Sequence, residues 1–121
     1  MYYTQYGEEV RNPEAYASTG APMYDCEGKN VNEETSIYVA KLENGKRYIG
    51  QTKDFNRRCN QHFDGNGSRV TQKYSPIKIK EIDVVPGYFA SECEQEHTDR
   101  YIRKYGYSNV RGGRYTNSIN F

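Results

Sequence analysis

The chain has 121 residues, of which 17 are basic and 16 acidic, so its formal net charge is +1. A hydrophobic content of 35% supports one domain with a modest core and argues against several large ones. The sequence contains no long apolar run, so we expect neither a membrane-spanning segment nor a secretory signal.

The charge is distributed unevenly along the chain. Residues 1–35 contain seven acidic and two basic side chains, a balance of −5, and residues 36–121 contain nine acidic and fifteen basic ones, a balance of +6. A basic domain behind an acidic segment suits a polyanionic partner for the domain alone. The excess is modest, and many domains that bind no nucleic acid reach it, so charge by itself decides little.

The acidic segment is predicted to be an extended N-terminal tail. Residues 1–35 hold five tyrosines but almost no aliphatic periodicity, which is typical of a segment that does not fold alone. Two ways in which this segment could become ordered are open. A protein partner would use the tyrosines as anchors, or the tail would pack on its own domain.

A β-hairpin is predicted next. Residues 36–42 are rich in β-branched and aromatic side chains, and Asn44-Gly45 is typical of a tight turn because both residues tolerate positive φ. Residues 47–50 would then form the returning strand. This pairing would bring Tyr38 and Tyr48 onto one face.

A helix follows the hairpin. Asp54 is a suitable N-cap for a helix that runs to about Phe63. Phe55 and Phe63 belong to an apolar stripe on this helix. Arg58 and His62 lie one turn apart on a neighbouring face that need not be buried.

A third strand and a second helix complete the predicted fold. Residues 76–85 show a strand pattern, with a slip near Lys80-Glu81 that predicts a bulge. Ser91–Glu94 fits a capping box that opens a helix to about Tyr105. The order of elements predicts an α+β class, with a small three-stranded antiparallel sheet flanked by helices over residues 36–121.

The two tyrosine triplets are the most informative pattern in the chain. Ser36-Ile37-Tyr38 and Tyr48-Ile49-Gly50 are followed closely by Asp54-Phe55-Asn56-Arg57-Arg58. Their order and spacing resemble the start of a GIY-YIG nuclease domain, with Ser36 where the family name expects glycine. Residues 105–113 look like the form carried by large DNA viruses. The resemblance implies a three-stranded sheet flanked by helices that cleaves DNA with a divalent cation.

The resemblance also implies four catalytic residues. Tyr38 and Tyr48 take the places of the triplet tyrosines, Arg58 that of the helix arginine, and His62 that of the histidine one turn later. Tyr38 would orient or deprotonate a water, and Arg58 would stabilise the phosphate oxygens with its planar fork. Plain structural roles are the alternatives: strand packing for the tyrosines, a solvated arginine, and a histidine at a helix end.

A metal ligand is implied on the second helix. Mg²⁺ or Mn²⁺ would be held there by a glutamate one turn before an apolar residue. Four residues before Ile102 the chain has Thr98, which is no carboxylate. Glu94, one further turn upstream on the same face, is the substitute ligand, although the predicted capping box would turn it toward the backbone.

Contacts with a DNA substrate are expected from residues around the motif. Gly50 would leave the backbone open to an approaching phosphate. Basic side chains would contact phosphates, and the candidates are Lys53, Arg57, Arg111 and Arg114. The loop that carries the last two would hold a phosphate or only close the domain.

Two functions remain open from the sequence. The first is a metal-dependent endonuclease with DNA as its partner, which explains the two tyrosines, Arg58 and His62. The second is a catalytically reduced domain with a structural or interaction role, for example a minor component of a virus particle, whose residues 1–35 bind a protein. It explains Ser36 and Thr98.

The cysteines bear on the compartment. Cys26, Cys59 and Cys93 are an odd number, widely spaced, and match no zinc pattern. Reduced thiols in an intracellular compartment are therefore expected. The resemblance to the viral form adds a virion as the alternative location.

Overall fold

The computed structural model describes residues 1–117 and 121. Short 3₁₀ turns lie at Glu43–Gly45, Gly87–Phe89 and Tyr107–Asn109. Within the described residues, no helix is long and apolar enough to span a membrane. The strands and helices, in chain order, are β1 (Tyr2–Tyr3), β2 (Glu9–Val10), α1 (Pro13–Ala17), β3 (Thr35–Leu42), β4 (Arg47–Thr52), α2 (Phe55–Phe63), α3 (Arg69–Lys73), β5 (Pro76–Val85), α4 (Ala90–Tyr105) and β6 (Val110–Gly112).

The main sheet has four strands in the order β5-β3-β4-β6. β3 pairs antiparallel with both β4 and β5, whereas β6 runs parallel to β4. The α+β class with flanking helices is confirmed, but the three-stranded antiparallel sheet is corrected to a mixed sheet of four strands. The fourth strand is only three residues long and glycine-rich, so its sequence carries no alternating pattern.

The predicted hairpin and bulge are both present. Asn44 and Gly45 have φ values of 61° and 72°, which is the conformation that the turn requires. On the other side of β3, Ile37 pairs with Asp83 and the next residue, Tyr38, pairs with Glu81. The strand β5 therefore contains one extra residue at this point, next to the predicted position.

The helices lie on both faces of the sheet. α4 covers one face, where Ala90 packs with Ile37 and Ile49. The opposite face carries Tyr38, which contacts α2, and Leu42, which packs with a residue of α3. Because β-strand side chains alternate, the residues of β3 divide cleanly between these two layers.

Two helix predictions need correction. α4 begins at Ala90 after Phe89, which makes no side-chain capping bond, so Ser91 lies inside the helix and the capping box does not form. The 3₁₀ turn that precedes it starts the helix earlier than the sequence pattern indicates. In α2 the face that need not be buried on the sequence pattern carries His62, which is fully buried, whereas Phe63 of the predicted apolar stripe is 53% exposed.

The N-terminal segment is folded rather than extended. β1 and β2 pair antiparallel, and a small buried cluster forms around Met23, against which Tyr88 and Phe89 pack. Asn32 is buried and connects the N-terminal segment to the part of the chain around Tyr88. Its side-chain nitrogen donates to the carbonyl of Ala17 at 3.0 Å, and its side-chain oxygen accepts from the Tyr88 backbone amide at 3.1 Å. The segment is thus ordered by its own chain, and a domain boundary at residues 35 and 36 stays a prediction.

Candidate active site

The two motif tyrosines lie side by side on the face of the sheet that α2 covers. Their ring centroids are 6.3 Å apart, and Tyr38 is 1% exposed. Gly50 is the β4 residue directly opposite Tyr38, and a Cβ at Gly50 would lie within 3.0 Å of the Oη, Cζ and Cε1 atoms of that phenol. The absence of a side chain at Gly50 therefore makes room for the Tyr38 ring. The ring occupies the space next to Gly50 in which a substrate phosphate was expected.

Helix α2 brings an arginine and a histidine to the Tyr38 phenol. Asp54 caps the helix by accepting from the Arg57 amide at 3.1 Å, as predicted. Arg58 Nε donates to Tyr38 Oη at 3.4 Å, and His62 Nε2 lies 2.8 Å from the same oxygen. A guanidinium and an imidazole thus meet at one phenol oxygen, on a helix face that is turned toward the sheet.

The hydrogen bonds around His62 decide its tautomer. Thr71 Oγ1 donates to the Ser68 carbonyl at 3.0 Å, so the same oxygen accepts from His62 Nδ1 at 2.9 Å. With its proton on Nδ1, the neutral imidazole has a lone pair on Nε2, which accepts from the Tyr38 hydroxyl. The phenol proton therefore points at His62, and the phenol oxygen receives the Arg58 N–H.

Burial sets the charges of this group. Burial, followed by the neighbouring Tyr48, raises the pKa of Tyr38 above its ordinary range. Burial and the Arg58 charge lower the pKa of His62 to about 4. Burial would lower the pKa of Arg58, but its hydrogen bond to Tyr38 and the charges of both phenols raise it overall. At neutral pH the site holds a neutral phenol, a neutral imidazole and a guanidinium cation.

Glu94 lies on α4, in the layer on the other side of the sheet from the two phenols. β6 pairs with Arg47–Ile49, and its last residue, Gly112, forms an isolated antiparallel bridge with Tyr115, so the chain turns directly after β6. In this place Glu94 accepts from the Gln51 amide at 3.0 Å and from the Gly113 backbone amide. Burial raises the pKa of its carboxyl, and its charge raises the pKa of both Tyr38 and Tyr48.

Two open cavities lie at the surface, one lined in part by Arg58 and the other in part by Glu94. The first has a volume of about 330 Å³ and is lined by residues of the β4–α2 junction, namely Thr52, Lys53, Asp54, Arg57, Arg58 and Gln61. The second, of about 430 Å³, is lined by Glu94 and Arg114 among other residues. Lys53 also forms an ion pair with Glu33 at 3.2 Å. The first cavity therefore combines three cations with Asp54, and the second combines two carboxylates, Glu92 and Glu94, with one cation.

Arg111 does not belong with these surface cations. Its side chain is fully buried and donates to the backbone carbonyls of Tyr107, Val110 and Asn117. The guanidinium also stacks 4.2 Å from the Tyr107 ring centroid. Arg111 is therefore not available for the substrate contact that was expected of it. It connects the segments before and after β6 by hydrogen bonds, and of the two arginines in this loop only Arg114 is exposed.

The two departures from the family pattern have structural explanations. Ser36 donates from its hydroxyl to Glu81 at 2.7 Å, on an accessible part of the sheet. Thr98 is fully buried, donates to the Glu94 carbonyl at 2.8 Å, and lies against Gly112. Thr98 thus takes a packing position, and Glu94, one turn earlier, is the carboxylate whose charge raises the pKa of both phenols. With no capping box, this carboxylate is held by Gln51 and by the Gly113 amide instead.

Sequence reasoning missed the residues that position the site. Gln51 orients Glu94, Gln61 accepts from Arg58 Nη1 at 3.0 Å, and Thr71 fixes His62. A signal existed for Gln61, which is three residues beyond Arg58 on the same helix. Gln51 and Thr71 act across elements, so no local spacing points to them.

The comparisons with known proteins agree with this geometry. A family model described as the GIY-YIG catalytic domain matches residues 34–109. The UPF0213 protein FN1575 of Fusobacterium nucleatum is 24% identical over 56% of this chain and 68% of its own length. The UPF0213 protein YazA of Bacillus subtilis is 26% identical over 56% of this chain and 65% of its own length.

A third bacterial relative, the UPF0213 protein CPE1444 of Clostridium perfringens, is 25% identical over 56% of this chain and 69% of its own length. No solved structure matches. The predicted likeness to the form carried by large DNA viruses stays a prediction, since these relatives are bacterial. The matched domain covers more than half of the chain and includes both tyrosine triplets, Arg58, His62 and Glu94. The chain belongs to the GIY-YIG family.

Proposed function

We propose that this chain is an endonuclease of the GIY-YIG type, which hydrolyses DNA phosphodiester bonds with the help of a divalent cation. The support is one observation: the Arg58 guanidinium donates to a phenol that lies beside a second phenol, and the charge of the Glu94 carboxylate raises the pKa of both phenols. Phosphodiester hydrolysis requires an activated water and stabilisation of the charge on the phosphorus oxygens. These groups are the types that such a reaction uses.

The donor set near Glu94 fits Mg²⁺ or Mn²⁺. A protein often holds Mg²⁺ by one or two carboxylates while the ion keeps several waters, and Glu94 offers one carboxylate beside an open cavity. Burial raises the pKa of the Glu94 carboxyl, and a bound divalent ion would lower it. A cation bound to Glu94 would supply Lewis acidity to the phosphate and lower the pKa of its water.

Arg58 is the proposed charge stabiliser. Its Nε is held by Tyr38 and its Nη1 by Gln61, so the guanidinium plane is fixed before any substrate arrives. The side chain also lines the cationic cavity, where a phosphate would meet it. A donor that is already oriented loses little freedom in the transition state, which is why such groups accelerate a reaction strongly.

Tyr38 and His62 are proposed to hold Arg58 and the sheet side of the site in place rather than to carry charge. Tyr38 is almost completely buried, its proton points at His62, and its raised pKa keeps it neutral. His62, with a pKa of about 4, is a weak base at neutral pH. Tyr48 is only half-buried and is the phenol better able to contact solvent and substrate.

DNA would run along the cations of the first cavity. Lys53 and Arg57 are exposed beside Arg58, and Arg114 lies near Glu94, so phosphates on either side of the scissile bond would meet a cation. The three cysteines are free thiols, which supports a reducing compartment as the place of action.

The near-complete burial of Tyr38 favours a second candidate. A phenol with 1% exposure cannot touch a water without some movement, so a catalytically reduced domain with a structural or interaction role would have the same appearance. Within the described residues, the N-terminal segment packs on its own chain, so it offers no separate support for a protein partner or a virion role.

The experiment that decides is nicking of supercoiled plasmid with Mg²⁺ or Mn²⁺. We expect Arg58→Ala to reduce the rate about 10²–10³-fold while the circular dichroism spectrum is unchanged, because a preoriented charge stabiliser is lost. Arg57→Ala is the matched control on the same helix, and it should weaken binding only, with a smaller salt dependence. Equal rates for the parent and Arg58→Ala would refute the proposed centre. Absence of cleavage by the folded parent would favour the second candidate.

A further inference from the structure

A second cluster of chemically active side chains lies between β5 and α4. Asp83 comes from β5, and Cys93 and His97 lie one turn apart on α4. One ligand atom from each of the three residues falls within 4.8 Å of the other two. The family motif does not include this cluster, and none of its members contacts the phenols of the proposed centre in the hydrogen bonds described above.

The distances within the cluster are close to those of a tetrahedral metal site. Asp83 Oδ2 lies 3.3 Å from Cys93 Sγ and 3.1 Å from His97 Nε2. With Zn–S near 2.3 Å and Zn–N and Zn–O near 2.05 Å, the edges of a tetrahedron around Zn²⁺ measure roughly 3.3–3.6 Å. Each of these two pairs would need to separate by only about 0.2–0.3 Å to admit the ion.

The arrangement does not suit an activated thiol. A nucleophilic cysteine needs a base in contact with its sulfur and a third group that orients the base. Here Asp83 lies between the other two, so the carboxylate accepts from both the Cys93 thiol and the His97 ring. Burial and the nearby Asp83 raise the pKa of Cys93 to about 11, which opposes thiolate reactivity. A thiol, an imidazole and a carboxylate around one point instead form a typical ligand set for zinc.

An ion would have a path to this place. The side chains of His97 and Asp83 are 14% and 41% exposed, and His97 also lines a cavity of about 320 Å³. The helical spacing of Cys93 and His97 fixes two donors on one face, so binding would require little ordering of the chain.

We propose that Asp83, Cys93 and His97 form a Zn²⁺ site that ties β5 to α4, with a water as the fourth ligand. Zinc would bind the Cys93 thiolate, and the thiol proton would leave to solvent. The site would fix the start of α4, the helix that carries Glu94, relative to the edge strand of the sheet. It is separate from a Mg²⁺ site at Glu94, because it uses a soft sulfur ligand and lies on another face of the helix.

The test is metal binding by the full, reduced and metal-free chain. Zinc titration calorimetry should give one strong site, and Co²⁺ should give the visible bands of a tetrahedral complex together with a sulfur-to-cobalt charge-transfer band. Removing an outer partner of a metal ligand costs about 10–100-fold in affinity, so Cys93→Ser and His97→Gln should each weaken binding at least about tenfold. Cys93→Ser should also abolish the charge-transfer band.

Matched variants make the result specific. Cys59→Ser removes a thiol of similar exposure on α2, and Glu94→Gln removes the carboxylate of the proposed Mg²⁺ site; both should bind zinc as the parent does. The proposal would be overturned by a parent chain without a stoichiometric zinc site, or by affinity that Cys93→Ser and His97→Gln leave unchanged. Loss of zinc binding in Glu94→Gln would also overturn it, since the metal would then belong to the other site.

Discussion

The strongest prediction concerns Gly50, because its effect can be worked out from the structure alone. In Gly50→Ala the new Cβ would lie within 3.0 Å of three phenol atoms of Tyr38, where ordinary contacts are 3.4–4 Å. The ring has little room to retreat, since the Tyr48, Phe55 and His62 rings lie 6.3, 6.4 and 5.5 Å away between centroids. The substitution therefore overpacks a buried site.

Two costs add up in this variant. Overpacking a well-packed interior costs about 1–3 kcal/mol. Displacing the phenol also breaks its 2.8 Å hydrogen bond to His62, worth about 1 kcal/mol. The expected loss is about 2–4 kcal/mol in the free energy of unfolding, measured by urea denaturation at pH 7. For a domain of this size the Tm should fall by roughly 8–16 °C.

The same displacement should affect nicking below the Tm of the variant. A shift of about 1 Å in a positioning group costs about 10²-fold in rate, so Gly50→Ala should nick plasmid about 100-fold more slowly than the parent. Gly65→Ala is the control: φ is +80° there and nothing lies within 4 Å of the added Cβ. It should lose about 1–2 kcal/mol from backbone strain without a change in nicking rate.

Parent-like stability of Gly50→Ala would refute the packing argument, whether or not the chain is a nuclease. Lowered stability with an unchanged nicking rate would leave the packing argument intact. It would show instead that the position of Tyr38 does not matter for cleavage.

Three further predictions follow from buried polar groups. The pKa of His62 falls from 6.5 to about 4 on folding, so its contribution to stability is complete above pH 6.5 and is lost as the pH falls toward 4. Urea denaturation should show the parent losing about 2–3 kcal/mol more than His62→Gln between pH 7 and pH 4.5, and equal losses would contradict this. Arg111→Met should cost about 2–4 kcal/mol because three carbonyls lose their donor, whereas exposed Arg114→Met should change stability by less than about 0.5 kcal/mol. Asn32→Ala should cost about 2–4 kcal/mol, because its amide serves the Ala17 and Ala21 carbonyls and the Tyr88 amide. Amide exchange of residues 1–34 should accelerate in this variant, and unchanged exchange would show that Asn32 does not hold the segment.

The parts of the fold that sequence could predict are those with local causes. Asn44-Gly45 requires positive φ, and Asp54 caps its helix through a residue three positions away, so both signals lie within one turn of the chain. The strand β6 could not be read, because its pairing with Arg47–Ile49 depends on where α4 ends. The folding of residues 1–34 could not be predicted from local sequence either. The small core of this segment is completed by Tyr88 and Phe89, which are more than fifty residues away.

The candidate site divides in the same way. Tyr38, Tyr48, Arg58 and His62 could be named from their spacing, because a hairpin and the helix that follows it bring such residues together. The sequence could not predict which of these four residues is buried, because the buried face of α2 is decided by how the helix packs on the sheet. Arg111 shows the same limit: its sequence context is a basic glycine-rich loop, but its carbonyl partners are set by the path of the chain around β6.

The four residues of the motif differ in burial, and this difference indicates different roles for them. Tyr38 and His62 are enclosed and neutral, so they hold geometry. Tyr48 and Arg58 are less buried, and Arg58 borders a cationic cavity, so they would meet the substrate. A phosphate oxygen bound to Arg58 would pull on a guanidinium that also donates to Tyr38, and Tyr38 in turn donates to His62. Substrate binding would therefore be transmitted to the buried phenol through one continuous chain of hydrogen bonds. For this reason conservative replacements such as Tyr38→Phe should lower the rate even though Tyr38 itself never reaches the surface.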